Sequence, residues 1–271
     1  MSFSIAGKTA IVTGAANGVG LAIARHFAEK GANVMCADMD EAGLIAALGE
    51  EGEDSQLRYF AGDLREKLTI ANLLSATIDA FEGVDILVNA SRQVERSEPL
   101  DADSDAVENL LQQNVINGLR LSQAVAKRMI AQAEESGTDI NGTGQIGSII
   151  NLSSIAARRT HPALLAFSVS SAATEQMTRS LAVALAPNRI RVNALAFGSV
   201  MSCSLQDALN EHDGYREEII NATPLGRIAS AGELADAAQF LASEGSSFMT
   251  GQVMTLDGGR SLVDRVGAPA H

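Results

Sequence analysis

The sequence has no tryptophan, only two cysteines in 271 residues, and aromatic side chains at just 4%. Cys36 and Cys203 lie far apart, which argues against a disulfide framework and for a reducing compartment. Basic residues are outnumbered 20 to 33, a formal net charge of −13. That balance argues against a nucleic-acid surface. No apolar run approaches the roughly 20 residues of a membrane span. The first residues, Met1 to Lys8, do not have the form of a signal peptide. A soluble cytoplasmic protein with neither membrane nor nucleic-acid partners is therefore expected.

What is present is apolar and small. Hydrophobic residues make up 46% of the chain, and glycine and alanine are abundant, which suits helices packed closely on a sheet. The length is enough for one full core. Short apolar runs at 9–13, 33–37, 57–61, 85–89, 146–151, 190–194 and 253–256 read as strands. Amphipathic stretches at about 18–30, 41–50, 67–81, 104–134, 163–186 and 232–243 read as helices. Near-continuous apolar strands alternating with helices mark a parallel sheet buried on both faces. The expected fold is α/β: a single doubly wound Rossmann-type domain over 1–271, its seven-stranded parallel sheet covered by helices on both faces. Two irregular stretches interrupt the alternation. The polar, Gly-rich 134–144 reads as a surface excursion. The stretch from 197 to about 227, with a short helix inside it, is placed to cover a ligand crevice and is expected to be the substrate loop.

The first strand runs into Gly14-Ala-Ala-Asn17-Gly18-Val19-Gly20 and then a helix. Gly14 permits a tight turn, Gly18 lets backbone approach a pyrophosphate, and Gly20 lets helix and strand pack closely. The amides from Asn17 through Val19 and Gly20 then open a helix whose N-terminus favours phosphate. Asp38 follows the second strand where a carboxylate meets the adenosine ribose. It accepts from both hydroxyls and repels a 2′-phosphate, and neither Met39 nor Asn17 offers the positive charge such a phosphate wants. NAD(H) is therefore favoured over NADP(H).

Asn151-Leu-Ser-Ser154, followed thirteen positions after Ser154 by Phe167 and then by Ser171, resembles the active-site segment of the short-chain dehydrogenase/reductase family. That family carries Ser, then Tyr-x-x-x-Lys. The resemblance runs from about Gly7 to Gly259, through the glycine turn, Pro224 to Arg227 and Asp257 to Gly259. It implies that Asp63 and Leu64 contact adenine, that Asn89 lies beside the cofactor, and that Asn114 holds a water of the proton relay. It implies that Gly198, Val200 and Ser202 belong to a segment touching the nicotinamide amide. A homodimer or homotetramer built on the helices at 104–134 and 163–186 is also implied.

The departures gather at one end. Phe167 stands in the Tyr position and Ser171 in the Lys position. Arg92 replaces a glycine beside the cofactor ribose, and Phe197 replaces a proline. Carbonyl reduction by hydride creates a basic alkoxide that needs a proton. The family's phenol, with an ordinary pKa of about 10, is tuned by the neighbouring Lys cation to supply it. Phe167 has no proton to give, and Ser171 has no charge. Ser154 retains a hydroxyl that can orient a carbonyl oxygen. Three functions fit. One is an NAD(H)-binding sensor, scaffold or partner subunit that has lost ordinary dehydrogenase chemistry. Another is an oxidoreductase with a replacement acid among His161, Ser170, Cys203 and Tyr215. The third is a non-redox enzyme in which Arg92, Arg158 or Arg159 grips an anion.

Overall fold

The computed structural model describes residues 3–49, 55–101, 103, 106–137 and 144–264, without the side chains of 203 and 204. Three sequence expectations therefore fall partly outside the described residues: the start of the helix at 104, most of the loop at 134–144, and the thiol of Cys203. Seven strands form one wholly parallel sheet: β1 (Thr9–Thr13), β2 (Asn33–Asp38), β3 (Leu57–Ala61), β4 (Ile86–Asn89), β5 (Gly147–Ser154), β6 (Ile190–Phe197) and β7 (Val253–Leu256). Their spatial order is β3-β2-β1-β4-β5-β6-β7. The order reverses between β1 and β4, and that switch point opens a crevice at the strands' carboxyl ends.

Both faces of the sheet are apolar because successive side chains point to opposite sides. Ala10, Val12, Val34, Cys36, Ile86, Val88 and Ile150 face one core with Ile23 and Phe27 of α1 (Gly18–Glu29) and Leu44 of α2 (Glu41–Leu48). Leu234 and Leu241 of α9 (Ala231–Ala242) complete that layer. Ile11, Met35, Leu87 and Ile149 face the other core, which holds Leu73 of α3 (Lys67–Phe81) and Leu121, Val125 and Met129 of α5 (Asn117–Glu135). The long α6 (Leu165–Leu185) lies on this second side. A short α4 (Val107–Leu111) leads towards α5, while α7 (Cys203–Glu211) and α8 (Tyr215–Asn221) fill the segment after β6. Ser230 and Glu233 start α9 with a reciprocal capping box.

The helix expected at 104–134 is not one helix. It begins at Val107 and is interrupted by a π turn, Gln112–Ile116. Asn114 lies within that turn and lines the crevice. Strands β5 and β6 each run three residues past their expected ends, in register up to Ser154 opposite Phe197. The irregular segment accordingly begins after Phe197. It contains two helices where one was expected.

A buried polar chain ties β4, β5 and α6. The Asn89 Nδ2 amide donates to Ser122 Oγ (2.9 Å) and Asn151 Oδ1 (2.8 Å), and Asn151 Nδ2 donates to Thr178 Oγ1 (2.9 Å). Replacing Asn151 by Leu strips two hydrogen bonds from a site with no access to water. Asn151→Leu is expected to lower unfolding free energy by about 1–3 kcal/mol, as measured by urea denaturation. An unchanged midpoint would remove this chain from the account of stability.

Candidate active site

The site begins with two close backbone approaches. Gly14 has φ +65°, and a Cβ there would sit 2.8 Å from the backbone N and Cα of Ser91. A Cβ on Gly20 would collide with the Gly14 carbonyl. The turn after β1 is thus pressed against the chain leaving β4 and against its own helix. Asn17 precedes α1 in an extended conformation and makes no side-chain cap bond, so the first-turn amides through Gly18, Val19 and Gly20 keep their capacity for an anion. Val19 itself packs into the core.

Asp38, at the end of β2, accepts from the Ala16 amide through Oδ2 and the Asp40 amide through Oδ1, each at 3.1 Å. Its carboxylate is therefore held beside the glycine turn. Asp38, Met39, Asp63, Leu64, Asn89 and Asn114 line a single cleft. Asp63 is forked by Arg65, whose hydrogen bonds hold its carboxyl below the usual range. Asn114 lies within the π turn and brackets Gln93: its Oδ1 accepts the Gln93 amide (2.8 Å) and its Nδ2 donates to the Gln93 carbonyl (2.9 Å). The same amide donates to Ser170 Oγ at 3.2 Å.

Ser154 ends β5, and Phe167 and Ser171 lie one helical turn apart on α6. Ser154 Oγ accepts the Ala156 amide (3.1 Å). Phe167, 5% exposed, packs with Leu110, Ala156 and Ala166 in a small apolar cluster. It has become a packing residue. Ser171 is buried, and its carbonyl accepts the Ser153 hydroxyl (3.2 Å). Beyond β6, a Cβ on Gly198 would strike Ile155. Val200 is buried and bridges to Ala229, and Ser202 Oγ caps α7 by accepting the Leu205 amide at 3.3 Å.

Arg92 organises this end. Its guanidinium carbon lies 4.1 Å from the Phe197 ring centroid and 5.6 Å from that of Phe167. Nη1 donates to the Ser153 carbonyl at 3.2 Å. Each ring contributes about 0.5–2 kcal/mol of cation–π attraction, more where water is excluded. Burial works the other way and lowers the guanidinium pKa to about 10. The aromatic replacements at 167 and 197 thus answer the arginine at 92.

Among the other sequence candidates, Arg158 and Arg159 are already engaged. Arg158 pairs with buried Glu175 (3.2 Å), and Arg159 donates to the Ser261 carbonyl (2.8 Å). Ser170 donates to the Phe167 carbonyl, His161 Nδ1 accepts the Ala163 amide, and Tyr215 stacks on His212 at 4.5 Å. None of these three is shown reaching towards Ser154. Sequence reading missed Thr13, whose Oγ1 accepts the amides of both Ala90 and Ser91 at 3.0 Å. Its place directly before Gly14 was the available signal. Ser153 was also missed.

The arginine's charge has a thermodynamic signature. Its folded pKa is below its unfolded value, so the charged form opposes folding at neutral pH. That penalty fades as pH rises through about 10 towards the unfolded value. Arg92→Met should therefore be more stable than the wild type at pH 7 by about 1–3 kcal/mol, with the gap narrowing above pH 10. Urea unfolding at several pH values checks this; a less stable variant would show that ring stacking outweighs desolvation.

A family model described as enoyl-(acyl carrier protein) reductase matches residues 14–261. The chain is 33% identical over 261 residues to galactitol 2-dehydrogenase (L-tagatose-forming) of Cereibacter sphaeroides, covering 96% of this chain and 97% of the relative. A 7α-hydroxysteroid dehydrogenase complexed with NADH and 7-oxo glycochenodeoxycholic acid superposes with TM-score 0.84 at 27% identity, over 95% of this chain and 96% of that one. A gluconate 5-dehydrogenase of Burkholderia cenocepacia in complex with NADP and tartrate gives the same TM-score and identity, over 97% and 98%. With its glycine turn at the sheet's switch point and its match across nearly the whole length, the chain belongs to the short-chain dehydrogenase/reductase family of oxidoreductases.

Proposed function

We propose that the protein binds NAD(H) and that its ordinary Tyr/Lys-dependent hydride transfer is impaired or altered. The observation that carries this reading is Phe167: a ring without an ionisable proton, packed in an apolar cluster where the family places its acid. Ser171, buried beside it on α6, brings no cation to tune an acid or hold a ribose. The adenosine half is intact in kind. The glycine turn is tight, the first amides of α1 carry no side-chain cap, and Asp38 is fixed at the lip of the cleft.

When bound, NAD(H) would supply or accept the hydride. Asp38 would accept from the adenosine ribose hydroxyls, and the amides at the start of α1 would hold the pyrophosphate. Ser154 would orient a carbonyl oxygen, with Arg92 as the cation at that end of the site. The segment 197–227 would form the substrate wall. Assembly as a homodimer or homotetramer would use α5 and α6, the latter exposing Leu165, Val169 and Val183.

Calorimetric titration should show NAD and NADH binding about tenfold or more tightly than NADP, a difference of about 1.4 kcal/mol. Equal or reversed affinities would remove Asp38 as the discriminating group. On a panel of alcohols and ketones, Phe167→Tyr/Ser171→Lys should exceed the wild type by on the order of 10²–10⁴ in rate. Robust wild-type turnover would overturn the impaired reading.

A further inference from the structure

The cations near the cleft differ in one respect. Arg65, Arg158 and Arg227 are paired with Asp63, Glu175 and Glu233, and Arg159 with the Ser261 carbonyl. Arg92 has no carboxylate partner among the described residues. Of the five guanidinium N–H donors, one reaches Ser153, and no other hydrogen bond joins Arg92 to a described residue. Yet the group is held in place. The Phe197 and Phe167 ring centroids lie 4.1 Å and 5.6 Å from its carbon, and the backbone on either side is fixed by Thr13 and Asn114.

We propose that Arg92 binds the carboxylate of a small organic acid beside the Phe167 and Phe197 rings. This names the ligand class of that same site and so rests on the reading above. The guanidinium is planar, and a free N–H edge of it can meet a carboxylate through two parallel hydrogen bonds. Its unpaired charge is disfavoured by burial, and an incoming anion offsets that cost. A single positive charge among Phe167, Phe197, Ala156 and Leu110 matches a monoanion carrying an organic body. A phosphate dianion would bring a second charge with no partner, because Ser171 is neutral.

Lactate and its neutral isostere lactamide separate charge from shape, and inorganic phosphate tests the rival anion. In calorimetric titration at fixed ionic strength, lactate should bind the wild type saturably, at least about tenfold more tightly than lactamide or phosphate. Arg92→Gln should lose that preference, and Arg92→Lys, which keeps charge but not the planar fork, should fall between. Circular dichroism establishes that both variants are folded. Equal affinity for lactate and lactamide, undiminished lactate binding by Arg92→Gln, or preference for phosphate would each overturn the assignment. NAD titration of the wild type is read separately. Lactate binding without NAD binding sinks the cofactor reading and sustains this one; NAD binding without lactate binding does the reverse.

Discussion

The short chain after β4 is the constraint on which the site depends. Thr13 accepts the amides of Ala90 and Ser91, Gly14 leaves no room for a side chain against Ser91, and Asn114 binds both polar groups of Gln93. The end of β1 and the π turn therefore fix Ala90, Ser91 and Gln93 at the place where the strand order reverses. For the buried Ala90 amide the bond matters because leaving such a group unpaired costs about 1–3 kcal/mol. The geometry of Arg92 is a by-product of that necessity. Its neighbours must satisfy their amides, and the side chain is aimed accordingly.

Much of this was legible in the sequence. Three strands, β1, β3 and β7, fall at their expected limits. β1 is buried throughout, while β3 and β7 are the half-buried edges of the sheet, and all three are short runs rich in β-branched or aromatic residues. β4 is one residue shorter than expected, beginning after Asp85, whose carboxylate accepts the Thr9 amide and pairs with Lys8. The glycine turn and Asp38 were readable because their chemistry is local in sequence. The π turn was not, since Gln112-Gln-Asn114-Val-Ile116 carries no residue that forbids an ordinary helix. Nor was the stacking of Arg92, which joins positions 92, 167 and 197. The mismatches were visible singly; their mutual contact is a property of the fold.

Seen together, those mismatches form a consistent physical exchange. Under the proposed function, a phenol and an ammonium of the family would be exchanged for two aromatic rings and a guanidinium carried on the loop after β4. The rings attract the guanidinium while desolvation disfavours its charge. Asn114 and Ser154 remain, so the polar frame of the family persists around an altered centre.

The alignment of chain order with this division bears on biosynthesis. The glycine turn, Asp38, Asp63, Arg92 and Asn114 all lie in the first 118 residues, together with β1 to β4 and the π turn. Both rings and the carbonyl that receives Arg92 come from strands and helices made later. A nascent chain thus makes its glycine turn and Asp38 first, with the guanidinium still in water. When β5, α6 and β6 dock, that charge is withdrawn towards Ser153 and the two rings, so its desolvation cost falls on their docking.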